Sequence, residues 1–181
     1  FFFEDTDYSL KTLKAGYLIG VAKGSFVWHK EHASLDALGE TNKEKILARN
    51  GEIFEKEWGK ILRILFIANA KKEFEIFLQK SIPLARGGNY AWIMSRNITQ
   101  QRQEIFKEFN HTEHFNVNFI PVKNTIDIII KILVKKKRYD VIIARNRILC
   151  ALLAKTGHRA LTEFNEEEIN RVKWDEKKEK W

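Results

Sequence analysis

Three carboxylates stand close together near the start of the chain, in the segment Glu4-Asp5-Thr6-Asp7. They follow an apolar run, Phe1 to Phe3, which we interpret as the end of a buried strand, and they open a predicted helix over Asp5–Ala15. Open α/β sheets bind their ligands where strands end and helices begin. A carboxylate there can act as a general base or hold a divalent cation. The alternative is structural, because Asp5 suits a helix N-cap and Asp7 suits the positive end of the helix dipole.

Histidine is the second residue type in the chain that could do chemistry. His29 follows a strand candidate, Ser25–Trp28, and could ligate a metal or donate a hydrogen bond to a phosphate. The alternative is a solvated histidine that packs beside Trp28. His111 and His114 have helical spacing but no third ligand nearby, so we interpret them as a surface pair.

The elements that must position these groups fall into three regions, 1–59, 60–164 and 165–181. In the first region, apolar residues at helical spacing predict a helix over Thr41–Trp58, after strand candidates at Ile19–Ala22 and Ser25–Trp28. The third region is charged and lacks a strong apolar face, so we interpret it as a frayed helix or a charged tail.

Predicted strands and helices alternate along the second region. Arg63–Ala68 is a nearly continuous apolar run, which is typical of a parallel strand buried on both faces. This alternation predicts an α/β fold with a parallel, Rossmann-like sheet. The other predicted strands are Val117–Val122 and Tyr139–Ala144, and the predicted helices are Glu73–Lys80, Tyr90–Phe109, Thr125–Lys137 and Ile148–Lys155.

The composition narrows the choice of partners. The 181 residues carry 32 Lys and Arg against 24 Asp and Glu, a net charge of +8. A positively charged protein surface suits binding to nucleotide diphosphates or to anionic lipid head groups. Binding to lipid head groups would agree with peripheral association with a membrane. Nucleic acid is not favoured, because the cations are not gathered on one aromatic-interleaved face. The densest run, Lys135 to Arg138, is interpreted as a solvated helix end.

The single cysteine, Cys150, excludes a disulfide framework and a cysteine-rich zinc site. A single cysteine agrees with a reducing, cytoplasmic location. We expect the protein to lie in the cytoplasm or at the inner face of the membrane. No apolar run approaches the roughly 18 residues that a membrane-spanning helix needs. The chain lacks an initiator methionine, and we expect it to begin within a larger protein.

The segment Phe2 to Tyr17, Phe-Phe-Glu-Asp-Thr-Asp-Tyr-Ser-Leu-Lys-Thr-Leu-Lys-Ala-Gly-Tyr, resembles the acceptor-side motif of glycosyltransferase family 2. In that family an aromatic strand end leads into Glu-Asp-x-Asp, a helix with a basic residue, and then Ala-Gly-Tyr. The resemblance covers about a third of the chain. It continues through Ile19-Gly-Val-Ala22, Phe26-Val-Trp-His29, Asn50-x-x-x-Phe54 and Lys56-Glu-Trp-Gly59.

The resemblance implies that region 1–59 is the C-terminal part of a GT-A glycosyltransferase domain. It implies a catalytic base at the Glu-Asp pair, with Asp5 as the first choice and Glu4 beside it. It places His29 near the diphosphate and the metal of the donor. It also implies an inverting transfer from a nucleotide-sugar donor to a saccharide acceptor, with Mg²⁺ or Mn²⁺ bound in the full-length enzyme.

The second region resembles, more weakly, the acceptor-binding Rossmann-like half of GT-B glycosyltransferases. The residues that carry this likeness are Arg63–Ala68, Gly87-Gly88, Arg138–Asn146 and Ala151–Lys155. The alternative is any other Rossmann-like domain. Gly87-Gly88 is not the Gly-x-Gly-x-x-Gly fingerprint, so no dinucleotide site is predicted.

The sequence as a whole predicts a fragment of a glycosyltransferase of polysaccharide, cell-wall or cell-surface glycan synthesis. The donor-binding half of family 2, with its own Asp-x-Asp, would precede Phe1, so we expect the chain to be inactive by itself. The alternative from another class is a non-catalytic basic α/β module that binds nucleic acid or a protein partner.

Overall fold

The computed structural model describes residues 3–20, 22, 24–25, 39–96, 98, 100, 103, 116–134 and 138–174. The chain divides into two compact units, Phe1–Gly59 and Lys60–Trp181. Each unit has its own secondary structure and its own packing. The helices and strands below are numbered in chain order.

The described part of the first unit consists of two helices, α1 (Glu4–Lys14) and α2 (Glu40–Trp58). Both helices agree with the sequence to within one residue at each end. Each buries one large apolar side chain, Leu10 in α1 and Phe54 in α2. The expected strand end at Phe3 is wrong, because Phe3 has a left-handed backbone (φ 69°) directly before α1. Ile19, from a predicted strand, lies in irregular structure.

Five strands of the second unit form one sheet, in the order β3-β2-β1-β4-β5. They are β1 (Arg63–Ala68), β2 (Tyr90–Ser95), β3 (Val117–Pro121), β4 (Val141–Ala144) and β5 (Ala160–Leu161). Every pairing between neighbouring strands is parallel. The expected α/β fold with a parallel, Rossmann-like sheet is confirmed.

Helices cover both faces of this sheet, and each face has its own apolar core. On one face, α3 (Lys71–Arg86) and α6 (Glu166–Lys173) pack on Phe66 and its neighbours. On the other face, α4 (Thr125–Leu133) and α5 (Arg147–Lys155) pack on Leu65 and its neighbours. β1 has no side exposed to water, which explains its nearly unbroken apolar sequence.

Three helices of this unit begin in the same way, at an asparagine whose side chain caps the first turn. The Oδ1 atoms of Asn124, Asn146 and Asn165 each accept a hydrogen bond from the backbone N–H three residues later. Asparagine is among the best N-cap residues, because its side chain satisfies an N–H group that the helix leaves unpaired. These caps set where α4, α5 and α6 start.

The structure corrects two predictions for the second unit and adds one strand. Tyr90–Ser95 is strand β2, whereas the sequence predicted a helix from Tyr90 onward. The helix expected to stop before Ile82-Pro83 continues through Pro83 to Arg86. β5 was not predicted at all. Region 165–181, interpreted as a frayed helix or a charged tail, forms helix α6 over Glu166–Lys173, and this helix buries Ile169 in the core beside Phe66.

Two polar side chains hold β1 at its amino end. Asn89 is buried; its Oδ1 accepts from the N–H of Leu62 (3.1 Å) and its Nδ2 donates to the carbonyl of Leu84 (3.0 Å). Asp140 accepts from the N–H of Arg63 (2.7 Å) and from Nζ of Lys60 (3.1 Å). A buried backbone group without a partner is costly, so both residues stabilise the end of β1.

None of the described helices is long and apolar enough to cross a membrane.

Candidate active site

Helix α1 of the first unit is anchored at its start by an aromatic contact with α2. The ring of Phe3 stacks on that of Phe54, with centroids 5.1 Å apart and planes at 27°. The carbonyl of Phe3 accepts from the N–H of Asp7 at 2.7 Å, which closes the first helical turn. A left-handed backbone costs a non-glycine residue about 1–2 kcal/mol. The stacked rings offset this cost and thereby set where Glu4 and Asp5 begin the helix.

Both carboxylate oxygens of Asp7 accept hydrogen bonds, one from α2 and one from within α1. Its Oδ1 accepts from Nε1 of Trp58 at 2.8 Å, and its Oδ2 accepts from Nζ of Lys11, also at 2.8 Å. These two hydrogen bonds, first from Lys11 and then from Trp58, hold the pKa of Asp7 below its usual range. The hydrogen bond to Asp7 likewise raises the pKa of Lys11. Asp7 therefore stays charged at neutral pH and is a poor proton acceptor.

A shallow groove of about 200 Å³ opens between α1 and α2. Glu4, Asp7 and Lys11 line it from α1, as expected for residues at positions i, i+3 and i+7 of one helix face. Glu57 lies on the other side, with its Oε2 3.5 Å from Nζ of Lys11. The remaining lining residues are Phe3, Asn50, Ile53 and Phe54.

The structure separates the two residues of the expected base pair. Glu4 is exposed and lines the groove, whereas Asp5 is exposed but is not among the lining residues. Successive helix positions differ in direction by about 100°, so Asp5 points away from the face that carries Glu4 and Asp7. Tyr8, three residues after Asp5, shares its side of the helix and is also exposed.

The groove does not by itself fit a divalent cation. Both oxygens of Asp7 already accept hydrogen bonds, and the ammonium group of Lys11 stands between the carboxylates of Asp7 and Glu57. Mg²⁺ and Mn²⁺ need several oxygen ligands that are not shared with a cation. Within the ranges that the structure describes, no group of three or more His, Cys, Asp and Glu residues could hold a metal. His29, the predicted metal contact, lies outside those ranges.

The sequence contained only part of the signal for this site. Asp7 and Lys11 are four residues apart, which is a spacing that pairs charges on a helix. Trp58 and Glu57 are about fifty residues further along the chain, and no local pattern connects them with Asp7. Their role becomes visible only when α2 lies against α1.

The lowered pKa of Asp7 predicts an acid-sensitive contact between α1 and α2. We expect Asp7→Asn to destabilise the first unit at neutral pH, because the charged partner of Lys11 is lost. A carboxyl with a depressed pKa stabilises the folded state fully above its unfolded pKa of about 3.9 and loses this effect as the pH falls through the folded value. Urea unfolding monitored by tryptophan fluorescence, at neutral pH and in acid, measures the difference.

The matched control for this prediction is Glu44→Gln, which removes an exposed carboxylate elsewhere on α2. It should change stability little at any pH. If Asp7→Asn is equally harmless at neutral pH, or if its effect grows in acid, Asp7 does not hold the helices together in its charged form.

The second unit carries exposed cations along the side of the sheet that is formed by the carboxyl ends of its parallel strands. These residues, which we call the basic edge, follow the strands β1 to β4 and comprise Lys71, Lys72, Arg96, Lys123, Arg145 and Arg147. The nearest carboxylates already have partners. Glu73 accepts from the N–H of Asn69, and Asp127 accepts from the N–H of Lys123. The edge is therefore positively charged.

A second groove, of about 370 Å³, lies between α3 and α6. Of the residues that line it, Lys80 and Glu166 are the charged ones, so it lacks a pair of acids suited to general acid and base chemistry.

Cys150 and His158 are two buried groups of the same unit that could act as a nucleophile or titrate. Burial raises the pKa of the Cys150 thiol, which also lies 3.0 Å from the carbonyl oxygen of Ala144. Burial, followed by the charge of Arg138, lowers the pKa of His158. The Nδ1 of His158 lies 2.9 Å from Oγ1 of Thr156. Both groups are therefore neutral at neutral pH, and a neutral, buried thiol is a poor nucleophile.

Comparisons of the chain with models of known protein families, with curated proteins and with solved structures find no match. The function is therefore inferred from the motifs and from the geometry of the groove.

Proposed function

We propose that the first unit is the acceptor-side part of an inverting glycosyltransferase, and that the pair Glu4–Asp5 supplies its general base. The observation that carries the proposal is that Glu4 and Asp5 are exposed on the first turn of α1. Asp7 is a poorer proton acceptor, because its hydrogen bonds with Lys11 and Trp58 lower its pKa. Glu4 and Asp5 are the residues that the family resemblance assigns to the base.

The chemistry required of this pair is the removal of one proton. An acceptor hydroxyl is a weak nucleophile until a carboxylate within hydrogen-bond reach takes its proton. The hydroxyl oxygen then forms a bond to the anomeric carbon, while the bond from that carbon to the nucleotide diphosphate breaks. Because attack comes from the face opposite the leaving group, the anomeric configuration inverts.

The size and lining of the groove suit an acceptor better than a donor. Its volume of about 200 Å³ is below the roughly 300 Å³ at which pockets for drug-sized ligands begin. One sugar ring is a better match than a whole nucleotide sugar. Glu4, Lys11 and Asn50 offer donors and acceptors for hydroxyl groups, and Ile53 offers an apolar wall. A donor pocket, a divalent metal and the contact at His29 remain predictions from the resemblance.

The direct test is the stereochemistry of transfer. A protein that joins this chain to a donor-binding half should transfer a sugar from a nucleotide sugar to a saccharide, and the product should have the inverted anomeric configuration by NMR. The 181-residue chain alone should show no transfer and no tight binding of nucleotide sugars in calorimetry with Mn²⁺. Retention of configuration, or micromolar nucleotide-sugar binding by the chain alone, would contradict the acceptor-side assignment.

A further inference from the structure

Helix α4 is apolar on both its inner and its outer side. Ile128 and Ile132 face the sheet and are buried in its core. Ile126, Ile130, Leu133 and Val134 are each more than half exposed. Their spacing of i, i+4, i+7 and i+8 places them along one stripe of the helix. An isoleucine-rich stripe facing water is unusual for a surface helix, whose outer face is normally polar.

Helix α5 shows the same arrangement on the same face of the sheet. Leu149 and Leu153 are buried in the core that α4 also covers. Ile148 and Leu152, one turn apart, are exposed. Together the two helices present what we call the aliphatic surface, which comprises Ile126, Ile130, Leu133, Val134, Ile148 and Leu152. These six side chains are between 46% and 78% exposed. A group of large apolar side chains on one exposed face marks an interaction site more often than chance.

The charges on these two segments are almost all of one sign. Lys123 precedes α4, Arg145 and Arg147 lie at the start of α5, and Lys155 ends it. Lys131, on α4, is the fifth cation of these two segments, and Asp127 is their single carboxylate. That carboxylate accepts from the N–H of Lys123 at 2.8 Å and pairs with Lys131 at 3.2 Å. In the described segments 123–134 and 145–155, the aliphatic surface is thus bordered by cations, and their one carboxylate is already paired.

We propose that the aliphatic surface docks on an anionic lipid bilayer, with α4 and α5 lying in the plane of the interface. Aliphatic side chains enter the acyl boundary while bordering lysine and arginine side chains bind lipid phosphates, as in other interfacial amphipathic helices. A protein partner fits less well, because the centres of protein interfaces are enriched in aromatic residues and this surface has none. The proposal does not depend on the transferase assignment, although a membrane-bound acceptor would suit it.

Vesicle sedimentation with the whole chain tests the proposal. The chain should bind vesicles made of equal parts of phosphatidylcholine and phosphatidylglycerol, and bind pure phosphatidylcholine far less. Arg145→Gln/Arg147→Gln should weaken binding to the anionic vesicles by about tenfold or more, since each basic residue near such a surface contributes about fivefold. Ile126→Gln/Ile130→Gln should weaken it by at least about tenfold, because two exposed aliphatic side chains can no longer be buried.

The controls carry the same chemical changes on elements other than α4 and α5. Arg86→Gln/Arg171→Gln removes two exposed arginines of α3 and α6, which cover the opposite face of the sheet, and Leu18→Gln/Leu47→Gln removes two exposed aliphatic side chains of the first unit. Both controls should bind as the unmodified chain does. Equal binding to both kinds of vesicle, no binding to either, or equal losses in controls and test variants would overturn the proposal. It would also be overturned if the chain forms a dimer that Ile126→Gln/Ile130→Gln dissociates, or if an oligonucleotide binds at the arginines and vesicles do not.

Discussion

Asp5→Asn should lower the rate of sugar transfer by about 10²–10⁴-fold, the usual contribution of a general base. The amide has nearly the shape of the carboxylate but cannot accept the proton of the acceptor hydroxyl. Asp5 is exposed, so the substitution should leave the fold of the first unit intact. Donor binding should also be unchanged, because the base acts on the acceptor. Steady-state kinetics in a protein that includes the donor-binding half measure the loss.

Glu4→Gln in the same protein determines which member of the pair is the base. Glu4 lines the groove and Asp5 does not, whereas the family resemblance prefers Asp5. The larger loss of kcat identifies the proton acceptor, and the smaller loss identifies a residue that orients the sugar. Glu52→Gln, an exposed carboxylate on α2, is the matched control and should retain full activity. Near-normal turnover in both Asp5→Asn and Glu4→Gln would remove the basis of the proposed mechanism.

Phe66→Ala should lower the free energy of unfolding of the second unit by about 3–5 kcal/mol, the usual cost of replacing a buried phenylalanine by alanine. Phe66 is completely buried in the middle of β1. It is in register with Ile93 of β2 and Ile143 of β4, and its ring lies 5.2 Å from that of Phe77 in α3. A cavity there would remove packing between the central strand and the helix that covers it.

Urea unfolding followed by far-ultraviolet circular dichroism measures this loss, and hydrogen exchange of the β1 amides assigns it to the second unit. Phe66→Leu keeps most of the apolar volume and should cost about 1 kcal/mol. Ile130→Ala, at an exposed position, should change stability by no more than about 0.5 kcal/mol. A loss below about 1 kcal/mol for Phe66→Ala would mean that the core relaxes to fill the cavity.

The helices and strands that the sequence predicted well are those with a clear local pattern. β1 is continuously apolar because it is buried on both faces, and its predicted bounds match those observed. Helices α1 and α2 show apolar residues at helical spacing and begin and end within one residue of the prediction. The alternation of strands and helices was enough to predict a parallel sheet.

The predictions of secondary structure failed where the local preference of the residues is weak and tertiary packing determines the conformation. Tyr90–Ser95 contains aromatic and aliphatic residues that suit either a helix or a strand, and it becomes β2 because β1 offers a complete set of parallel backbone partners. Pro83 stays within α3, whose surrounding turns are held by Phe77, Leu78 and Ala85 in the core. Tertiary packing overrides a propensity of a few kcal/mol at such positions.

The candidate site, like the fold, was predicted from the sequence only in part. By itself, the sequence determined that three carboxylates open a helix and that the chain resembles an acceptor-side transferase motif. Only the tertiary structure showed that Asp7 is held by a residue of the second helix. Trp58, fifty-one positions from Asp7, donates to it because α2 packs along α1. A hydrogen bond between residues so far apart in the sequence depends on how two helices pack together, and no local pattern of residues encodes that packing.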